Sequence, residues 1–172
     1  INALHGGQYT IFLYYLANSI YRNSIKGQKN YNDYTTSSRA VCDKIYGLNK
    51  MLSSCDLYYE VEMPDYFLLD HPLSSVIGRG TIGNGFSFGQ GCTIGNNNNI
   101  YPTLGENVFM SSNSKILGNS TIGNNVLIGA NAYIKDSVIP DNVLVFGQSP
   151  NLIIKHNHID LIHEKIQEQF YL

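Results

Sequence analysis

Cysteine and charge are both scarce in this chain. Its three cysteines, Cys42, Cys55 and Cys92, are an odd, scattered set without Cys-x-x-Cys spacing. They build neither a disulfide framework nor a zinc knuckle, and they point to a reducing, cytoplasmic setting. Eleven Lys+Arg stand against thirteen Asp+Glu, a formal charge of −2. A chain so balanced has no electrostatic footprint for phosphate backbones, which argues against a nucleic-acid partner. Charged residues make up 14 %, against ~25 % in an ordinary soluble domain. Long hydrophobic runs are missing too. The most apolar stretch, Tyr9–Tyr21, is interrupted by Asn18 and Ser19 and falls short of the ~20 residues of a bilayer span. No basic segment followed by a small-residue cleavage site marks a signal peptide. The chain opens at Ile1 rather than Met, which leaves room for residues upstream. What is present is a length suited to one globular domain with a small appendage, and 43 % hydrophobic residues for its core.

The remaining charges leave a gap. Between Arg79 and Lys135 only Glu106 and Lys115 are charged, and the rest is Gly, Asn, Ser, Thr and aliphatic. Within it, aliphatic residues recur every six: Val76, Ile82, Phe88, Ile94 and Ile100, then, after a slip of four, Leu104, Met110, Ile116, Ile122, Ile128 and Ile134. Glycine often follows, as at Gly83, Gly89, Gly95, Gly105, Gly123 and Gly129. A small residue often stands four places on, as at Gly80, Cys92, Ser114, Ser120 and Ala132. Six fits neither a helix at 3.6 nor a two-sided strand; it is the hexapeptide β-helix period. The expected fold is mainly β, a left-handed parallel β-helix in which three hexads close one triangular coil. Aliphatic residues point inward, and Gly or Asn sit at corners where φ > 0 is often required. About ten hexads over 76–139 predict about three and a half stacked coils, since one coil alone cannot bury its aliphatic face. The slip at Asn96–Asn99, followed by Ile100-Tyr101-Pro102-Thr103, reads as a loop leaving the prism, either a low-complexity insertion or the wall of a site.

The flanks read as helices. Leu13, Leu16, Ala17 and Ile20 share one helical face; Ser37 or Ser38 starts a second helix with Val41, Ile45, Leu48 and Leu52 on one side. Gln28–Thr36 between them is a polar loop. After the repeat, Val143–Phe146 lies between Pro140 and Pro150 as a last strand. Ile159, Ile162, Ile166 and Phe170 then form an amphipathic helix, which either caps the prism or packs on a neighbouring subunit. The divisions are a helical region at 1–55, a β-helix at 56–150 and an extension at 151–172.

Five histidines are available, of which His156, His158 and His163 lie in the tail. No third ligand keeps metal spacing with His156 and His158, so no metal is expected. His71, in Leu68-Leu69-Asp70-His71-Pro72, stands at the mouth of the repeat with Asp56 fifteen residues earlier. A coil of about eighteen residues would bring the two close. An Asp accepting from the imidazole Nδ1–H leaves Nε2 free to take a proton from a hydroxyl. From spacing alone, a His that merely caps the first coil fits as well. Cys92 stands at a small inward position and reads as packing.

The chain also resembles the serine O-acetyltransferases, hexapeptide acyltransferases with a helical N-terminal region. Cys55-Asp56-Leu57 and then Asp70-His71 keep that family's interval between an Asp and an Asp-His pair. Leu69-Asp70-His71 with Val76-Ile77-Gly78, Lys115-Ile116-Leu117-Gly118-Asn119 and Ile128-Gly129-Ala130 resemble its further strings, so the likeness covers roughly residues 40–150. It implies His71 as general base, Asp56 as its orienting partner and Asp70 lining the acceptor site. It also implies Ser112, Gly129 and Ala130 along the pantetheine arm of coenzyme A, and a trimer, often paired into hexamers, with the cofactor between neighbouring prisms. Two features depart. The family's Gly-rich loop ends in Arg-His-Pro, whereas this one ends in Ile100-Tyr101-Pro102, and Ile cannot fork onto a carboxylate as a guanidinium does. The family's Gly-Val-Pro-Ala is here Gly147-Gln148-Ser149-Pro150-Asn151. These departures, with Asp43–Lys50 and His-Pro, are similar to a subgroup associated with surface-polysaccharide gene clusters.

The resemblance therefore implies an acetyl-CoA-dependent O-acetyltransferase acting on a hydroxyl of serine or of a sugar. Asp70 and Tyr101 would face the acceptor, and Lys155 would meet the 3′-phosphate of CoA. The expected assembly is a homotrimer, able to pair into a hexamer, without membrane insertion. The rival reading is a non-catalytic β-helix scaffold.

Overall fold

The computed structural model describes residues 5–26, 37–156 and 158–170; the polar loop expected over Gln28–Thr36 lies outside them. Helices α1 (Gly6–Ser24) and α2 (Ser37–Ser53) pack on each other. On α1, Leu13 and Ala17 are buried as expected, joined by Thr10, Tyr14 and Asn18, whereas Leu16 is exposed. On α2 only Ile45 of the expected stripe packs against the core. Val41, Leu48 and Leu52 face outward, and Cys42, Asn49 and Ser53 are buried. Hydrogen bonds decide this orientation: Asn49 Nδ2 donates to the Thr10 carbonyl (3.1 Å) and the Cys42 thiol to the Ala17 carbonyl (3.4 Å).

The repeat folds as a parallel β-helix of about five turns. Its first face stacks β2 (Phe67–Leu69), β5 (Phe86–Phe88), β8 (Val108–Met110), β11 (Val126–Ile128) and β14 (Val143–Gln148). The second face stacks β1 (Asp56–Leu57), β3 (Val76–Ile77), β6 (Thr93–Gly95), β9 (Lys115–Leu117) and β12 (Tyr133–Lys135). The third stacks β4 (Thr81–Ile82), β7 (Thr103–Leu104), β10 (Thr121–Ile122) and β13 (Val138–Ile139). The count exceeds three and a half because the first coil begins at Asp56, where no hexad is written, and the last rung runs on to Gln148.

The inward column reads Leu57, Ile77, Ile94, Ile116 and Ile134 on the second face, with Phe88, Met110 and Ile128 on the first and Ile82, Leu104 and Ile122 on the third, all buried. Each such side chain contributes about 1.5–3 kcal/mol by leaving water. Val76 and Ile100 do not join them. Val76 is 44 % exposed and its neighbour Ile77 points inward; Ile100 is 48 % exposed, in the loop. There Asn97 and Ile100 exchange both backbone hydrogen bonds (3.0 Å) around left-handed Asn98 and Asn99, the geometry of a two-residue hairpin turn. The small positions Cys92, Ser114, Ser120 and Ala132 are buried as expected.

The corner glycines act through space rather than through φ. A Cβ on Gly83 would stand 2.5 Å from the Gly105 carbonyl oxygen, and one on Gly105 2.8 Å from the Gly123 carbonyl carbon. Positive φ falls two residues later, on Gly85, Asn107, Asn125 and Asn142. After the last coil, β15 (Asn151–Lys155) pairs antiparallel with β14. Helix α3 (Ile159–Phe170) then lies along the first face, with Ile162 buried and the Phe170 ring against Tyr66 and Phe109 (centroids 5.5 and 6.5 Å). Thus α3 packs on the side of its own prism. Among the described residues, no helix is long and apolar enough to cross a membrane.

Candidate functional site

The candidate site grows from the corner between the first and second faces. Six residues carry the chain from Phe88 to Ile94, from Met110 to Ile116 and from Ile128 to Ile134, whereas eight carry it from Leu69 to Ile77. The first corner therefore bulges, and Asp70 and His71 stand on the bulge. His71 has φ +51° and a side chain 84 % exposed. A non-glycine residue in that region costs roughly 1–2 kcal/mol, and such strain is a pointer to function. Its Nε2 lies 3.6 Å from Asp70 Oδ1, an electrostatic neighbour beyond hydrogen-bond range.

Asp56 does not join them. Its carboxylate accepts hydrogen bonds from the Tyr46 hydroxyl and the Lys50 ammonium, both at 2.6 Å. Partial burial pushes the Asp56 pKa up, but these two bonds outweigh it and hold the carboxyl below its ordinary value. The expected Asp56–His71 hydrogen bond is absent. Tyr46 and Lys50 lie one turn apart on α2, which leads directly into β1, so the helix reaches the carboxylate first.

Below the bulge, the coils repeat one backbone register. The N–H groups of Gly91, Asn113 and Asn131 donate to the carbonyls of Leu73, Gln90 and Ser112, at 2.8, 2.8 and 3.0 Å. Gln90, Ser112 and Ala130 thus hold one place on successive coils, about 4.8 Å apart, in a line leading away from Asp70 and His71. Gly129 lies beside Ala130, where a Cβ would run into the Phe146 ring. Lys155 Nζ stands 5.4 Å over that same ring, at the lower end of the line. The structure therefore brings Asp70, His71, Ser112, Gly129, Ala130 and Lys155 to one edge of the prism. Tyr101 is elsewhere. Half-buried in the loop between the second and third faces, its hydroxyl accepts from Asn96 Nδ2 (3.4 Å).

Two clefts open on this edge. One of about 420 Å³ is lined by His5, Gly6, Leu52, Leu69, Asp70 and His71. A second of about 230 Å³ is lined by Asp70, Ser87, Gly89, Ser112, Lys165 and Gln169. Asp70 borders both. His5 at the start of α1, the Tyr46–Lys50 grip on Asp56 and the α3 side chains carry no signal in the hexad count, because tertiary packing alone brings them here. The nearest hint is the spacing of Tyr46 and Lys50, four residues apart just before β1. The chemistry available is a solvent-open imidazole beside a carboxylate, at the head of a row of backbone amides.

Residues 101–136 match the family described as bacterial transferase hexapeptide (six repeats). A serine acetyltransferase of Staphylococcus aureus (strain Mu50) is 27 % identical over 180 residues, covering 95 % of this chain and 78 % of that protein. Serine acetyltransferase isoform 3 of Entamoeba histolytica, crystallised with cysteine, superposes with a TM-score of 0.68 at 25 % identity, covering 92 % of this chain and 53 % of that one. Serine acetyltransferase of Brucella abortus strain S19, in complex with coenzyme A, gives a TM-score of 0.71 at 20 % identity, covering 88 % and 57 %. The chain thus spans little more than half the length of the two crystallised proteins. In sequence and in fold the chain is similar to the serine acetyltransferases, and its residues 101–136 carry the hexapeptide repeat of bacterial transferases.

Proposed function

We propose that this chain is an acetyl-CoA-dependent O-acetyltransferase. The observation that carries the reading is the strained, exposed His71 at the head of an edge along which Gln90, Ser112 and Ala130 hold one place on successive coils, with Gly129 beside Ala130. The named activity of the relatives, and the coenzyme A complex of one of them, support it. His71 removes the proton of an acceptor hydroxyl as that oxygen attacks the thioester carbonyl. The carbon–sulfur bond then breaks, and the imidazolium returns its proton to the departing thiolate. Backbone N–H groups along the edge serve the developing oxyanion. The edge supports CoA running from His71 past Ser112, Gly129 and Ala130, with Lys155 toward its phosphates.

The acceptor is a hydroxyl of serine or of a sugar, and the cleft beside His71 favours the sugar. Its walls are Leu52, Leu69 and Leu73, its anionic group is Asp70, and among its described lining residues there is no Lys or Arg to fork onto the α-carboxylate of serine. A sugar acceptor also fits the resemblance to proteins of surface-polysaccharide clusters. The test is CoA-thiol release from acetyl-CoA with serine and with a panel of sugars. His71→Ala should lose ~10²–10⁴-fold in kcat. His71→Gly suits the left-handed backbone better, so it should melt no lower than wild type while losing the same activity. Full activity in either variant would reject His71 as the base. Failure of every acceptor, with acetyl-CoA unbound, would instead favour the scaffold.

A further inference from the structure

We propose that helix α3 forms one wall of the acyl-donor groove and that the Gln169 side-chain amide pairs with an amide of the pantetheine arm. The inference rests on the acyl-transfer reading and assigns a second side to the groove. Three observations carry it. First, α3 is seated beside that edge of the prism: Phe170 packs against Tyr66 before the first rung of the first face and against Phe109 on its third, and Ile162 is fully buried. Second, Gln169 and Lys165 line the cleft of about 230 Å³ whose other side holds Asp70, Gly89 and Ser112, so this cleft joins the acceptor end to the row of backbone amides. Third, Gln169 Oε1, on a residue that lines this cleft, is buried without a hydrogen-bond partner. A buried amide oxygen left unpaired costs about 1–3 kcal/mol, and such an atom beside a groove marks a place where a donor from a ligand belongs. The pantetheine arm is a chain of secondary amides. A primary amide carries an acceptor and two donors side by side, which complements a secondary amide in either direction.

The direction of α3 extends the assignment. Ile159 and His163 line a hollow with Asp141 and Asn142 of the last coil, whereas Phe170 lies at the first coils. The helix therefore climbs across the first face, from its corner with the third face at the last coil to the first coils, where the His71 edge begins. Lys165, one turn before Gln169 and ion-paired with Glu168 at 3.3 Å, lies on the nucleotide side of the amide. A pantetheine arm threading the cleft from the thiol at His71 would pass Gln169 first and bring its phosphate end toward Lys165.

The test measures CoA affinity by calorimetry and steady-state kinetics on the full chain, with acetyl-CoA and with S-acetylpantetheine, which lacks the nucleotide and phosphates. Gln169→Leu should raise KM about 3–10-fold for both donors with kcat held, as loss of one uniform hydrogen bond does. Lys165→Ala should raise KM for acetyl-CoA and leave S-acetylpantetheine unchanged. Phe170→Ala, which loosens the seat of α3, should reproduce the Gln169→Leu effect. Near-UV circular dichroism confirms that the Gln169→Leu fold is intact. CoA affinity within twofold of wild type in Gln169→Leu would overturn the inference while leaving the acyl-transfer reading in place. A lower KM in Phe170→Ala would also overturn it, because α3 would then obstruct the groove. Absence of CoA binding by the wild-type chain would remove the donor reading itself, and this inference with it.

Discussion

At the scale of residues, the site divides charge between two places that spacing alone would merge. Fifteen positions separate Asp56 from His71, and that interval suggested one dyad. Instead Asp56 closes a Tyr46–Asp56–Lys50 cluster that ties α2 to the first coil, and His71 faces Asp70. What was legible was the identity of the corner, since Asp70 and His71 stand where the hexads begin. What was hidden was the reach of a helix whose side chains arrive from the preceding segment. The Asp56 cluster has a pH signature. Its folded carboxyl pKa lies below the unfolded value, so its contribution is fully present above ~pH 4 and is lost as pH falls through the folded pKa. The Lys50 hydrogen bonds to Asp56 and Tyr46 raise the lysine pKa, and that contribution is lost only as pH climbs past its folded value, above the usual lysine range. The side chains are 50 % and 30 % exposed, so solvent screening limits the bridge to under about 1 kcal/mol. Asp56→Asn should therefore melt slightly below wild type at pH 7 and match it once the pH has fallen below the folded carboxyl pKa, with the difference shrinking in high salt. An unchanged gap at low pH would show that packing, not charge, holds the cluster.

At the scale of elements, the coil is set by which residues tolerate the turn between faces. The period of six identified the β-helix because aliphatic side chains must fill a narrow prism at every rung. It misplaced Val76 because only five residues, not six, carry the chain from Ile77 on the second face to Ile82 on the third, and it misplaced Ile100 because the Asn98–Asn99 turn takes that residue out of the prism. The α2 stripe of Val41, Leu48 and Leu52 misled for a different reason. Apolar periodicity identifies a face, but here the buried side makes side-chain-to-backbone hydrogen bonds through Asn49, Cys42 and Ser53. At the corner between the third and first faces, asparagines form a ladder. Asn107 Nδ2 donates to Asn125 Oδ1, and Asn125 Nδ2 to Asn142 Oδ1, both at 2.9 Å. All three have left-handed backbones, with Asn125 at φ +55°. Two requirements meet in one residue, and two substitutions separate them. Asn125→Gly loses the ladder but keeps the backbone at ease, so it should cost about 1–2 kcal/mol. Asn125→Ala loses the ladder and adds a strained φ, so it should cost about 1–2 kcal/mol more. Chemical denaturation of both variants measures the difference; equal midpoints would show that φ is not what the position selects.

At the scale of the whole molecule, the second face separates two groups that the proposed chemistry needs together. His71 stands at its edge with the first face, and Tyr101 lies in the loop at its edge with the third. If both meet one acceptor, they come from different copies of the chain. The surface is suited to such pairing. The third face presents exposed Thr81, Thr103, Thr121 and Val138, one per coil, as a flat β-branched stripe, and Val138 is 77 % exposed. Exposed apolar residues gathered on flat faces mark association surfaces, and a head-to-tail contact between prisms closes into a ring. A homotrimer follows as the expected state, and light scattering should return a species three chains in mass. Its stronger consequence is complementation. His71→Ala and Tyr101→Ala homotrimers should each be impaired in turnover. Trimers reassembled from an equal mixture would contain some sites that take His71 from one variant and Tyr101 from the other. Random mixing makes about one site in four intact, so the mixture should recover about a quarter of wild-type activity. Recovery would place the two residues in one shared site across an interface. A mixed trimer with no more activity than its parents would put Tyr101 outside the acceptor site, and a stable monomer that turns over normally would dismiss the shared site altogether.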